Sequence, residues 1–216
     1  MLFRSVSSHD TQAEIFGGTA LIARNNASTY TMLFSRANNF TMNDCVIIGA
    51  RVEWSACSNI VCNNIKHADL IGSDTTTTTP QYALSISLGS SNIIIDGFSP
   101  FAGLSNQQPY GGIVSITNSY FITVRNIGTP TAPYNMGTVN ACNWILNASV
   151  SANLVFRRIY TENSRTNAFN LVNTVQNVII ENVWGDGLDT QAISALNVTP
   201  KGCRWTRSIT TQSSLS

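Results

Sequence analysis

Charged residues are scarce in this chain of 216 residues. Asp, Glu, Lys and Arg together make up 11% of it, and the formal net charge is +1. This share is less than half of what an ordinary soluble domain carries. A nearly neutral chain without a basic cluster has no field that attracts a phosphate backbone. We therefore expect no nucleic-acid partner.

Long apolar runs and targeting signals are missing as well. No apolar stretch approaches the roughly 18 to 20 residues that span a bilayer. The start, MLFRSVSSHDTQ, lacks a basic segment followed by an apolar one. We therefore expect neither a signal peptide nor insertion into a membrane.

Residue types that usually carry metal or nucleophilic chemistry are few. The five cysteines include no CxxC pair, so neither a zinc cage nor a disulfide framework is indicated. There are two histidines, His9 and His67, and the P-loop, GxSxG, HExxH and GxGxxG motifs are absent. We expect no metal and no cofactor, and the sequence leans against an enzyme without deciding the question.

Asparagine, in contrast, is abundant and regularly spaced. The chain has 24 asparagines, and seven segments align when the first residue of each is counted as position zero. The segments are NFTMNDC from Asn39, NIVCNNI from Asn59, NIIIDGF from Asn92, FITVRNI from Phe121, NLVFRRI from Asn153, NVIIENV from Asn177 and NVTPKGC from Asn197. Positions one, three and six are apolar or cysteine in every repeat, with Pro200 as the single exception. Successive repeats start 20 to 33 residues apart.

This pattern predicts a parallel β-solenoid. Positions one and three point the same way on a strand because side chains alternate. Asn at position zero suits a bend because it tolerates left-handed backbone, and stacked Asn side chains can bond from coil to coil. A period of about 20 residues is too short for a βαβ unit, and an antiparallel sandwich would leave the aligned Asn unexplained.

We therefore predict an all-β fold, a single right-handed parallel β-helix of about seven coils with three long lateral loops. The coils should span residues 30–205 of one domain that covers residues 1–216. Residues 1–24 are expected to form an N-terminal cap. Residues 206–216, which end in SITTQSSLS, are expected to form a tail or linker. Cys57 and Cys142 fall off the predicted core positions.

The three long loops are candidate contact sites. Insertions at residues 72–81, 99–112 and 129–142 follow position six in three consecutive coils, so stacking would place them on one side of the rod. Long loops of solenoids commonly bind partners. Their aromatic and amide side chains suit either a sugar or a neighbouring subunit, and both remain open. These side chains are Phe101, Gln107, Gln108, Tyr110, Tyr134 and Asn135.

Position two should point outward, yet it is aliphatic in four repeats, at Val61, Ile94, Val155 and Ile179. A row of aliphatic side chains facing water is unfavourable, so we expect a contact between copies of the chain. The alternatives are that the chain's own loops cover these residues, or that β-branched residues merely favour strands.

Position four carries opposite charges on neighbouring coils. Asp96 should meet Arg125, and Arg157 should meet Glu181, because equivalent positions on stacked coils lie about 5 Å apart. We interpret these carboxylates as partners that fix the register rather than as catalysts.

One acidic cluster has the composition of a glycosidase site. Trp184, Asp186 and Asp189 follow Glu181 in the segment ENVWGDGLDT. Paired carboxylates beside an aromatic ring are what a glycoside hydrolase uses. The alternative is a polar turn in which Gly185 and Gly187 supply unusual backbone angles. We favour the turn, which leaves Glu181, Asp186 and Asp189 as weak catalytic candidates and Trp184 as a candidate glycan contact.

The repeats resemble the pectate-lyase-like β-helix superfamily and, within it, phage tailspike and tail proteins. The resemblance covers residues 30–205. The Asn-Thr-Asp, Gly-Asp-Asp and Gly-His-Gly elements of the polygalacturonase branch are absent, so no catalytic residue carries over. The resemblance implies a homotrimeric virion protein on a phage tail or capsid surface, which contacts other virion proteins and a host surface glycan.

The sequence therefore leaves three functions open. The favoured one is a virion structural protein, either a tail fibre, a tailspike-like protein or a decoration component, that presents loops for attachment. The first alternative is a tailspike-type polysaccharide depolymerase, a hydrolase or a lyase. The second alternative is a carbohydrate-binding adhesin module that acts as a monomer.

Overall fold

The computed structural model describes residues 13–21, 31–48, 51–68, 82–100, 112–135, 144–162, 167–172, 174–185, 192–193 and 196–205. Within these ranges the regular structure is all strand. The strands are β1 (Ala13–Leu21), β2 (Thr31–Ser35), β3 (Asn38–Ile48), β4 (Arg51–Ser55), β5 (Ser58–Ala68), β6 (Tyr82–Ser87), β7 (Ser91–Pro100), β8 (Gly112–Thr117), β9 (Tyr120–Ile127), β10 (Tyr134–Asn135), β11 (Trp144–Ser149), β12 (Ala152–Glu162), β13 (Asn167–Val172), β14 (Gln176–Gly185), β15 (Ala192–Ile193), β16 (Leu196–Lys201) and β17 (Arg204–Trp205). No helix long and apolar enough to cross a bilayer occurs among these residues.

Two kinds of strand alternate along the chain and stack into two parallel sheets. The long-strand sheet has the order β1-β3-β5-β7-β9-β12-β14-β16, with β10 beside β12 and β17 beside β14. The short-strand sheet has the order β15-β13-β11-β8-β6-β4-β2. The chain therefore passes through both sheets in turn as each coil stacks on the one before. This topology confirms the predicted parallel β-helix.

One coil lies in front of the seven aligned repeats. In β1, Ala13 pairs with Phe40 and Gly18 pairs with Cys45, so residues 13–21 form an eighth rung inside the range expected to be a cap. The residue before Ala13 is Gln12 rather than Asn, and positions one and six are Ala and Gly. Neither the Asn signal nor the bulky apolar signal marks this coil in the sequence.

Left-handed backbone turns the chain at three points in the repeats that start at Asn39 to Asn177. At position zero φ lies between 54° and 59° in all seven repeats. Position five is left-handed in all seven repeats as well, with φ between 52° and 77°. A third bend lies three residues before position zero, for example at Arg36 and Asn118. Asn and Gly fill most of positions zero and five because they adopt this conformation at least cost.

These bends divide each coil into three faces. Face one is the short-strand sheet, face two is positions one to four, and face three is the stretch from position six onward. The side chains at positions one, three and six point inward between the faces. In the first six repeats all of them are buried, which confirms the predicted core. In the last repeat Val198 and Cys203 are partly buried and Pro200 is exposed, since no described coil follows to cover them.

A further core column lies two residues before position zero, and the sequence pattern did not reveal it. It consists of small buried side chains, Ala37, Cys57, Ser90, Ser119, Ser151 and Val175. The placement of Cys57 off the core was wrong. The Ser90 hydroxyl accepts the Cys57 N–H (3.0 Å) and donates to the Ser87 carbonyl (2.7 Å). Hydroxyls in this column therefore satisfy backbone groups where the chain bends.

The cysteines that the structure describes are free, and the thiols of the three buried ones are protonated. Cys45, Cys57, Cys62 and Cys203 are unbonded, and Cys142 lies outside the described residues. Desolvation raises the pKa of Cys45, Cys57 and Cys62 above the ordinary thiol value. These thiols are inert packing residues rather than nucleophiles, because the thiolate is the reactive form.

Candidate functional site

The ion pairs at position four form as the sequence predicted. Arg125 Nε donates to Asp96 Oδ2 at 2.9 Å, and a second guanidinium nitrogen of Arg125 lies 2.8 Å from the same oxygen. Asp96 also accepts a bond from Asn126. Arg157 Nε lies 2.7 Å from Glu181 Oε2, which is within ion-pair distance. The N–H bond of Arg157 Nε is not directed so as to form a hydrogen bond. Because Glu181 is engaged with Arg157, the register-fixing interpretation is favoured over a catalytic role.

The asparagines at position zero bond from coil to coil in two separate ladders. In the first, Asn59 donates to Asn39 (3.1 Å) and Asn92 donates to Asn59 (3.2 Å). In the second, Asn177 donates to Asn153 and Asn197 donates to Asn177, both at 3.1 Å. This confirms the predicted stacking of amides. Phe121 occupies position zero between the two ladders and interrupts them.

Face two carries the aliphatic residues of position two on its outer side. Val61, Ile94 and Val155 are half-buried, and Ile179 is 42% exposed. They are in register along the coils, since Val61 pairs with Ile94 and Val155 pairs with Ile179. We call these four residues the aliphatic stripe. Its outward orientation is as predicted, and its role as an interface stays a prediction.

A shallow groove of about 450 Å³ runs along face two at its C-terminal coils. Phe121, Val155 and Ile179 supply apolar surface to it, and Asn153 and Asn177 supply amides. Phe121 is 58% exposed, more than Ile179. The sequence named Val155 and Ile179 as contact residues but did not name Phe121.

Face one differs from face two because its outward column is polar on five consecutive coils, although Leu33, which precedes them in the same column, is exposed. Glu53, Ser85, Ser115, Asn147 and Asn170 pair in register along this column and are half-buried. Asn170 donates to Asn147 at 2.8 Å. The chain therefore places hydrogen-bonding side chains on a face that meets water, which makes the aliphatic residues of face two a distinguishing feature.

Face three carries an aromatic–arginine column at position seven, formed by Tyr160, Trp184 and Arg204. Tyr160 pairs with Trp184, and Trp184 pairs with Arg204, on consecutive coils. The rings of Tyr160 and Trp184 meet edge to face, with centroids 5.1 Å apart and planes at 89°. The Arg204 guanidinium carbon lies 5.9 Å from the centre of the Trp184 ring. Two further exposed cations, Arg158 and Lys201, occupy the adjacent corner at positions five and four.

Of the residues in this column the sequence interpretation named only Trp184. Tyr160 and Arg204 were missed, although their signal was available because each stands seven residues after a repeat start. The predicted partners Asp186 and Asp189 lie outside the described residues, so the structure does not place them relative to Glu181. Among the described residues no group of three or more His, Cys, Asp or Glu side chains could hold a metal ion.

Of the three long loops, only the third is described beyond its ends, over residues 129–135. Phe101, Gln107, Gln108 and Tyr110 lie outside the described residues. Tyr134 and Asn135 form β10, whose backbone pairs with Thr161 and Glu162 of β12. The third insertion thus returns to the long-strand sheet at residue 134, after a turn in which the Thr129 N–H donates to the Ala132 carbonyl at 2.9 Å.

No family model matches the sequence, and no curated protein is detectably similar to it. Solved structures with a related chain path include two pectate lyases. Pectate lyase pelN from Paenibacillus sp. 0602 is 13% identical over 70% of this chain and 45% of that enzyme, with a TM-score of 0.38. Pectate lyase Bsp165PelA from Bacillus sp. N165, solved in complex with trigalacturonate, is 14% identical over 90% of this chain and 82% of that enzyme, with a TM-score of 0.37. This chain thus spans less than half of the Paenibacillus enzyme, and we draw no functional conclusion from likeness at this level.

Proposed function

We propose that this chain is the β-helical part of a virion surface protein of the tail-fibre, tailspike or decoration type. In this proposal its copies pack side by side through face two as a homotrimer, and its loops contact other virion proteins or a host surface glycan. The observation that carries the proposal is the aliphatic stripe, Val61, Ile94, Val155 and Ile179, on the outer side of face two.

The contrast with face one argues that the stripe is covered in the assembled protein. Scattered exposed aliphatic residues are normal on any surface, but contiguous apolar patches on monomers are limited and usually functional. On five consecutive coils the strands of face one instead have Glu, Ser or Asn at the outward position. Strand propensity alone therefore does not explain why face two carries Val and Ile.

A second copy of the chain is the partner that fits the stripe best. Because the stripe residues pair in register, the stripe runs along the rod, and a copy offers a stripe of the same length and spacing. The formal net charge of +1 means that copies repel each other little. A closed ring about an axis parallel to the rods brings equal residues to equal heights, so the stripes of three copies would meet around that axis.

The test places charges in the stripe and on face one as a matched control. Val155→Asp together with Ile179→Asp is expected to convert the assembly to monomers, because buried unpaired carboxylates oppose association. Ser85→Asp adds a carboxylate to the polar column of face one and should leave the assembly unchanged. Sedimentation velocity distinguishes the two results. A double variant that sediments like the wild-type assembly would contradict the proposal.

The aromatic–arginine column favours a second candidate, recognition of an anionic polysaccharide. Guanidinium groups bind carboxylate or sulfate in a bidentate manner, and an aromatic ring offers an apolar surface to the C–H side of a sugar ring. Arg158, Lys201 and Arg204 make no ion pair with any carboxylate that the structure describes. The column lies on face three, so contacts between copies on face two would leave it accessible.

Tryptophan fluorescence tests this candidate. A uronic-acid oligosaccharide should change the emission of the native protein, whereas a neutral oligosaccharide of the same length should not. Trp184→Ala and Arg158→Ala should each weaken the response, and chromatography of the sugar after incubation would show whether any bond is cleaved. Equal responses to the charged and the neutral sugar would refute charge recognition by this column.

A further inference from the structure

Phe121 departs from the pattern of its column in residue type. It occupies position zero, where the other six repeats have Asn. Its backbone is nevertheless left-handed, with φ of 58°, a conformation in which a bulky side chain is unusual. Its ring is also 58% exposed. An aromatic side chain is thus exposed to solvent at a position whose backbone conformation suits Asn.

The substitution also interrupts the hydrogen bonds of the column. Asn92 lies on the coil before Phe121 and Asn153 lies on the coil after it, and each belongs to a different ladder. An Asn at residue 121 would join the two ladders into one. Residues that are costly to the fold and remain exposed concentrate at functional sites. We therefore expect the Phe121 ring to contact another molecule.

The position of Phe121 along the stripe indicates that contact. The stripe is aliphatic on the coils of Ile94 and Val155, but the coil between them has Thr123 at position two. Phe121 is two residues away from Thr123 on that same coil, and both residues line the groove. Between Val61 and Ile179, the aromatic ring therefore supplies apolar surface on the one coil that has no aliphatic residue at position two.

We infer that Phe121 is the anchor residue of the contact between copies, and that its ring packs against a second copy of this chain. The inference rests on the proposed function and adds a specific residue to it. In a trimer whose axis runs parallel to the rods, the three Phe121 rings lie at one height. They then form an aromatic layer between the layers of Ile94 and Val155, in the edge-to-face or offset arrangements that aromatic rings prefer.

Phe121→Asn tests the inference because its two expected effects have opposite directions. Association should weaken by about thirtyfold or more, the loss typical of an interface anchor. The thermal midpoint of the monomer should rise, because Asn suits the backbone and can bond to both ladders. The midpoint is compared in the Val155→Asp, Ile179→Asp background, in which both proteins are expected to be monomers. Misfolding would lower the midpoint and so cannot imitate this result.

Phe121→Leu is the matched control, since it keeps apolar surface and should retain most of the association. If the wild type assembles and Phe121→Asn assembles equally well, the anchor role is wrong while the proposed function stands. If the wild type is a monomer at all concentrations, the proposed function fails and the anchor role with it. If the monomer instead binds a neutral oligosaccharide in a manner that depends on Phe121, the occupant of the groove is a sugar and the inference is overturned.

Discussion

Asn177 allows the two roles of the position-zero asparagines to be separated. Its amide donates to Asn153 and its carbonyl oxygen accepts from Asn197, both at 3.1 Å, and its φ is 54°. Asn177→Gly removes both bonds but keeps a residue that adopts left-handed backbone freely. Asn177→Ala removes both bonds and also places a Cβ in the strained conformation.

The expected losses follow from the individual contributions. A net hydrogen bond is worth about 0.5–1.5 kcal/mol, and these bonds are exposed, so we take about 1 kcal/mol for both together. Gly adds about 0.5–1 kcal/mol through the entropy of the unfolded chain, and Ala adds about 1–2 kcal/mol of left-handed strain. The free energy of unfolding should therefore fall by about 1.5–2 kcal/mol for Gly and about 2–3 kcal/mol for Ala.

Urea unfolding followed by far-ultraviolet circular dichroism measures both losses. Asn197→Ala serves as the control, because Asn197 also has left-handed backbone, with φ of 57°, but its ladder bond within the described chain is to Asn177 alone. It should lose about 0.5 kcal/mol less than Asn177→Ala. If the Ala variant of residue 177 is as stable as the Gly variant, the strain argument is wrong. If both lie within about 0.5 kcal/mol of wild type, the ladders do not stabilise the fold.

Three further outcomes are expected. Phe98→Ala should lower the free energy of unfolding in urea by about 3–5 kcal/mol, because Phe98 is among the largest fully buried side chains. A loss below about 1 kcal/mol would mean that the core repacks. Asp96→Asn should cost about 0.5–1 kcal/mol at low salt and less at high salt, since the partly exposed pair with Arg125 is screened; a loss that is independent of salt would contradict this. Burial raises the pKa of the Cys62 thiol, so the stability it contributes is fully present below the ordinary value of 9.0 and is lost as the pH rises further. Cys62→Ala should therefore reduce the loss of unfolding free energy at alkaline pH, by at most about 1.4 kcal/mol per pH unit. Unfolding experiments at about pH 8 and about pH 10 measure this difference. An unchanged pH dependence would mean that the Cys62 thiol does not cause the loss.

The sequence revealed those features that repeat at a fixed offset from Asn. Positions one, three and six differ from the outward positions in residue type, so the repeat alone assigned residues such as Ile93 and Phe156 to the core. Asp96 and Arg125 were paired because they share position four on neighbouring coils. In each case the residues at the same repeat position lie next to each other, because the coils stack in parallel.

Other features were hidden because their residue types suggest something else. Ser90 and Ser119 have the character of polar turn residues, yet they are buried because their hydroxyls bond to backbone groups at the bend. Residues 13–21 have no Asn and few bulky apolar residues to align with the other coils. In the sequence Arg204 is an ordinary charged residue, and only the strand register shows that it lies over Trp184.

If copies of this chain meet through face two, the mass of the native protein in solution must exceed that of one chain. Light scattering behind a sizing column should give a mass near three times the chain mass of 23.4 kDa. A mass that stays at 23.4 kDa at every concentration would mean that copies of the chain do not meet.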